Sequence, residues 1–278
     1  MARESIVLLK NDKKLLPLKK DLKSIAVVGP TAYDPNVLQG NYAGISARMV
    51  TILEGIVGKV SPGTKVTYLP GCSVVGKDLI NPGYLRFALA DAELIIAVMG
   101  LSPDLEGEEN DAVASEANGD RVNITLPKGQ EQLLAMLAAT RKDVVLVLTG
   151  GSPIAVNWAQ EQLPAILMAW YPGEEGGNAV ADVLFGDYNP AGRLPITFIT
   201  SLEQLPPFED YRMQGRTYRF MTEKPLYPFG YGLSYTSYAY ATLTLSKQTI
   251  TNNETLSVSI DVTNTGDVAG DEVVQLYV

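Results

Sequence analysis

Histidine is absent from this 278-residue sequence. A Ser-His-Asp triad, a Cys-His dyad and a histidine-ligated zinc site are therefore excluded within the chain. Cysteine occurs once, at Cys72. One cysteine rules out an internal disulfide and any CxxC site, leaves the compartment undecided, and reads most simply as a small buried hydrophobe. Positive charge is scarce: 22 Lys and Arg against 31 Asp and Glu give a formal net charge of −9. Such a field repels a polyphosphate, so no nucleic-acid partner is expected. Long apolar runs are missing too. Leu94–Met99 and Val144–Leu148 fall far below the roughly 20 residues that span a bilayer, so no membrane partner is expected. There is no Walker A sequence, and Val28-Gly29-Pro30-Thr31 lacks the G-x-G-x-x-G pattern of a dinucleotide site. Acid–base chemistry in this chain falls to carboxylates, tyrosine or lysine, and no metal or organic cofactor is expected.

What is present has an α/β signature. Short apolar runs at Ser24–Gly29, Val66–Leu69, Leu94–Gly100, Val144–Thr149 and Ala165–Trp170 read as strands, with a weaker sixth at Leu194–Phe198. Several are continuous rather than alternating, as expected of parallel strands covered on both faces. Between them, Lys128–Arg141 places Leu133, Leu134, Leu137 and Ala138 on one helical stripe, and Asn178–Phe185 does the same with Ala179, Val183 and Leu184. Alternation of this kind predicts a mostly parallel sheet. Residues 201 to 237, rich in Pro, Tyr and Gly, read as an ordered linker. From Tyr238 the period becomes two, and Thr242–Leu245, Leu256–Val262 and Val273–Val278 read as three strands opening a β-sandwich that would need about seven. The chain thus reads as part of a longer protein. Met1–Lys10 has no signal-peptide pattern and reads as the end of a helix.

The loop after Leu94–Gly100 stands out. Leu101-Ser102-Pro103-Asp104-Leu105-Glu106-Gly107-Glu108-Glu109-Asn110-Asp111, followed by Glu116 and Asp120-Arg121, is long and acidic and leaves the carboxyl end of a strand, where α/β sheets gather ligands. It is either a solvated acidic loop or the home of a glycosidase carboxylate, since crowded like charges favour a carboxyl that holds its proton. Glu106 and Glu108 do not make a complete acid and nucleophile pair, because neighbours on one strand cannot act from different sides of a sugar. Gly150-Gly151-Ser152 reads as a tight turn, or else as a cradle for an anion. Trp158, Trp170 and Tyr171 are residues able to stack on sugar rings, with Trp170, inside a strand pattern, better placed for the core.

Several words of the sequence, in order, resemble glycoside hydrolase family 3, the β-glucosidase and β-xylosidase family. They are Ser5-Ile6-Val7-Leu8-Leu9-Lys10-Asn11, Ile25-Ala26-Val27-Val28-Gly29-Pro30, Gly40-Asn41-Tyr42-Ala43-Gly44, Gly119-Asp120-Arg121, Tyr171-Pro172-Gly173-Glu174-Glu175-Gly176-Gly177, Asn189-Pro190-Ala191-Gly192-Arg193-Leu194-Pro195 and Tyr227-Pro228-Phe229-Gly230-Tyr231-Gly232-Leu233-Ser234-Tyr235. The resemblance implies an (α/β)6 sandwich over residues 1–200, a linker over 201–237 and an incomplete fibronectin III-like β-sandwich over 238–278. It implies packing on a (β/α)8 barrel, not found in this chain, that carries the nucleophilic Asp of a retaining exo-β-glycosidase. It also implies that the acidic loop supplies the general acid/base. Alignment on the Glu-x-Glu pattern selects Glu108; alignment through Ser102-Pro103 and Gly119-Asp120 selects Glu106. The substrate expected is an oligosaccharide or other β-glycoside. The rival function is a non-catalytic carbohydrate-binding or domain-packing module.

Overall fold

The computed structural model describes residues 1–278. The elements in chain order are α1 (Ala2–Ser5), β1 (Val7–Asn11), β2 (Ser24–Val28), α2 (Ile52–Lys59), β3 (Lys65–Leu69), α3 (Pro82–Ala88), β4 (Leu94–Gly100) and α4 (Lys128–Ala138). They continue with β5 (Asp143–Thr149), α5 (Asn157–Gln162), β6 (Ala165–Trp170), α6 (Gly176–Leu184), α7 (Thr217–Phe220), β7 (Tyr238–Leu245) and β8 (Val258–Asn264).

A six-stranded sheet forms in the order β1-β6-β5-β4-β2-β3. All pairs are parallel except β1 against β6. The continuous apolar runs are explained by burial on both faces. In β4, Ile95, Ala97 and Met99 enter one core while Leu94, Ile96 and Val98 enter the other; β5 divides Val144, Leu146 and Leu148 from Val145 and Val147 in the same way. Helices α3, α4 and α5 cover the first face through Leu85, Leu133, Leu134, Leu137 and Ala159. Helices α2 and α6 cover the second through Ile52, Ile56, Val180 and Val183. This is the α/β sandwich with a mostly parallel sheet that the alternation predicts.

Two local devices fix the second face. Helix α2 opens with a capping box: the Thr51 hydroxyl accepts from the Glu54 N–H at 3.3 Å, and the Glu54 carboxylate accepts from the Thr51 N–H at 2.8 Å. The helices α2 and α6 then meet through glycines. A Cβ on Gly177 would lie 1.9 Å from the Thr51 carbonyl oxygen, and one on Gly55 would lie 2.0 Å from that of Gly177.

Three expectations need correction. Residues 7–11 are not helical; they are the antiparallel edge strand β1, and only Ala2–Ser5 form a short helix. An apolar run too short to show a period does not separate helix from strand, and pairing with β6 decides it. Leu194–Phe198 forms no strand of the sheet; Leu194 and Phe198 bond instead to Tyr231 and Tyr227, with Pro195 lacking the donor a ladder needs. Of the three C-terminal strands, two form, as the antiparallel pair β7–β8. Val273–Val278 pairs with no strand. Glu272, just before it, accepts from Arg193 at 2.8 Å, and Gln275 within it donates to the Gly230 carbonyl at 3.2 Å.

Candidate active site

The strand order reverses beside β2. The chain leaves β2 for β3 on its outer side, then crosses back to lay β4 on the inner side. Loops leaving the carboxyl ends of β2 and β4 therefore diverge over a crevice, and the loops after β5 and β6 border it. Glu106 sits where these four loops meet. Its carboxylate accepts from the Gly151 N–H at 2.7 Å, from the Tyr171 hydroxyl at 2.5 Å and from the Ser152 hydroxyl. The Arg121 guanidinium stands 3.6 Å away and donates to Ser152 at 3.0 Å. On its backbone side, the Glu106 carbonyl accepts from the Asn41 side chain at 3.1 Å. Each of the four loops thus supplies at least one partner.

The surroundings are a half-enclosed polar cleft of about 360 Å³, bounded by Asp120, Arg121, Ile124, Pro153 and Tyr171 along with Glu106, Gly151 and Ser152. Only 9% of the Glu106 side chain and 11% of that of Arg121 reach solvent. Burial lowers the Arg121 guanidinium from its ordinary pKa, and the Glu106 carboxylate opposes the shift. Burial also raises the Tyr171 phenol, helped by the charge of Glu106, so it remains a donor.

Glu108 is placed differently. Two residues beyond Glu106, it is exposed, and its backbone carbonyl caps the turn at Asp111 and Ala112. The Glu108 carboxylate holds the exposed Tyr42 phenol above its ordinary pKa. The intervening insertion is closed at its neck, where the Asn110 N–H donates to the Asn118 carbonyl at 2.6 Å. Asp120-Arg121 is thereby returned to the cleft despite its distance from Glu106 in sequence.

Sequence reasoning finds the acidic loop and both glutamates. At Gly150-Gly151-Ser152 it reads first a tight turn and only second an anion cradle; the Glu106 carboxylate is bonded there. Asn41 and the hydroxyl role of Tyr171 are missed, since neither residue carries a local signal of it. Trp170 lies against Phe198 and donates its indole N–H to the Ser5 carbonyl at 2.9 Å, a packing role. Trp158 is 44% exposed on α5 and lies outside the cleft lining. No helix of the chain is long and apolar enough to cross a membrane.

The periplasmic β-glucosidase of Salmonella typhimurium is 39% identical, with all of this chain covered and 39% of that protein. A β-xylosidase of Formosa agariphila is 38% identical over all of this chain and 39% of its own length. A solved β-glucosidase from Erythrobacter marinus superposes with a TM-score of 0.79 at 36% identity, covering 97% of this chain and 38% of that one. The chain thus spans about 39% of the length of the curated relatives named here. Residues 6–235 match the glycosyl hydrolase family 3 C-terminal domain, and the chain belongs to that family.

Proposed function

We propose that this chain carries the general acid/base of a retaining exo-β-glycosidase that removes terminal β-linked glucose or xylose from oligosaccharides, with Glu108 in that role. The observation that carries the assignment is the contrast between the two glutamates. Glu106 has both oxygens engaged by groups from three loops, three hydrogen bonds and the Arg121 ion pair, and is largely enclosed by them. Glu108 is held on a loop that Glu106 anchors, yet it is itself exposed to solvent. A group that must give a proton to a leaving oxygen and later take one from water needs that access.

In this reading Glu106 and Arg121 are positioning residues. The nucleophile is an Asp on a (β/α)8 barrel that packs over the crevice, as the family resemblance implies, and the reaction passes through a covalent glycosyl-enzyme. Residues 1–200 form the sandwich domain, 201–237 the linker, and 238–278 belong to a fibronectin III-like domain. The relatives' names, β-glucosidase and β-xylosidase, support the substrate class.

The test uses the full-length enzyme carrying this chain. Glu108→Ala is expected to lower kcat/KM on an alkyl or sugar leaving group by about 10²- to 10⁴-fold, far less on a dinitrophenyl one, and to let the glycosyl-enzyme accumulate. Azide, which needs no base, restores turnover. If Glu106→Ala shows these signs instead, the two roles are exchanged. If neither variant does, the loop is merely solvated and the domain is a packing or sugar-binding module.

A further inference from the structure

Gln130, in the first turn of α4, is a polar side chain with none of its surface in solvent, and the acid–base chemistry does not use it. Its amide is spent entirely on backbone. The amide oxygen accepts from the Gly100 N–H at 2.7 Å, and the amide nitrogen donates to the Gly100 carbonyl and to the Val74 carbonyl, both at 2.8 Å. Gly100 is the last residue of β4, from which the acidic loop departs. The pairing of β4 with β2 stops at Ala97 and Val28, whereas its pairing with β5 runs on to Gly100 and Thr149. On the β5 side the Leu101 N–H still finds the Thr149 carbonyl at 2.9 Å. On the β2 side no strand remains, and the Gln130 amide pairs with both backbone groups of Gly100 as a strand would. Two residues on, the Ser102 carbonyl accepts from the N–H groups of Leu105 and Glu106 at 2.9 and 3.2 Å. The turn that carries Glu106 into its cluster, and Glu108 beyond it, thus starts directly from this exit.

We infer that Gln130 is a positioning residue for the acid/base: it fixes the direction in which the acidic loop leaves β4 and ties that exit to the 74–76 segment after β3. This rests on Glu108 being the acid/base. A carboxamide can accept from an N–H and donate to two carbonyls at once; an ionised carboxylate only accepts, and a thioether is at best a weak acceptor. The Gly129 N–H, bonded to the Gly76 carbonyl at 3.0 Å, docks the same turn of α4 on the same segment, so Gln130 acts from a fixed base. A shift at the origin of the loop passes through the Ser102 turn to a carboxyl that must meet the glycosidic oxygen at hydrogen-bond distance.

Two variants of the full-length enzyme test this, at a temperature where circular dichroism shows each to be folded. Gln130→Met keeps the length and removes the bonds. Gln130→Glu keeps the shape, and its buried carboxyl, holding its proton, retains one donor and one acceptor. Each is assayed on an alkyl β-glycoside and on the dinitrophenyl one, whose leaving group needs no proton. For Gln130→Met the expectation is a fall in kcat/KM of about ten- to hundredfold on the alkyl substrate and of less than about threefold on the dinitrophenyl one. Gln130→Glu should give a ratio between that of Gln130→Met and the parent's. Equal loss on both substrates, which a role in stability alone would give, or no loss on the alkyl one overturns the inference. If Gln130→Met does not fold, the same ratio in Gln130→Glu decides. Glu108→Ala is measured alongside. If it shows leaving-group dependence and azide rescue while the Gln130 variants lose rate evenly, only the positioning role fails; if it shows neither, the acid/base reading itself fails and the inference falls with it.

Discussion

Glu106 is a charged residue whose value lies in the partners it gathers. With Gly151, Ser152, Tyr171 and Arg121 all directed at it, its removal would strand several partly buried donors at once, the costly direction of breaking a polar network. Glu106→Ala is expected to destabilise the fold by about 2–4 kcal/mol, read from the urea midpoint, with Glu106→Gln milder because one oxygen remains an acceptor. An unchanged midpoint for Glu106→Ala would mean that the cluster is solvated. Cys72 makes a simpler point. It is 1% exposed, and burial raises its thiol from about 9 to about 11. A raised folded-state value means that stability from keeping the thiol neutral is full below pH 9 and is lost as pH climbs from 9 to about 11. At pH 8 an aromatic disulfide reagent should therefore label Cys72 only as fast as the protein opens; rapid labelling of the folded protein would contradict this. At this scale the sequence was legible where chemistry is local. Glu106 and Glu108 announce themselves by crowding in one loop. Asn41 and Tyr171 lie 65 residues away on either side, and only the order of strands in the sheet brings them to Glu106.

Among elements, the contact between α2 and α6 is set by atoms that are missing. Gly177→Ala pushes a methyl group into the Thr51 carbonyl, and the helices must separate to relieve it, at an expected cost of about 3 kcal/mol. Gly58, on the same helix α2, has nothing within 4 Å of where its Cβ would lie. Gly58→Ala should stabilise by about 0.5–1 kcal/mol through helix propensity alone. Thermal unfolding of the two variants checks the pair, and shifts of the same sign would refute the packing argument. The central strands were legible because burial on both faces writes an uninterrupted apolar run. The edge strand β1 was not, since its identity depends on β6, more than 150 residues later. The third C-terminal strand failed for the complementary reason: alternation records a tendency, and Val273–Val278 has no neighbouring ladder to realise it.

On the proposed function, the whole molecule would offer one wall of an active site. Both candidate carboxylates sit on one loop, and retaining hydrolysis needs attack from the opposite side of the sugar. The 278-residue chain by itself is expected to leave p-nitrophenyl β-glucoside and β-xyloside intact; turnover above that of a variant lacking both Glu106 and Glu108 would refute the division of labour between this domain and a barrel. The neck between Asn110 and Asn118 has a consequence at this scale. The loop is pinched there, and the residues between fold back onto its anchored part, Ala112 buried and the Ala114 N–H donating to the Asp104 carbonyl at 2.9 Å. A change of length within it is therefore expected to be felt at Asp104 and Asp120, the two ends of the acidic loop that the segment touches.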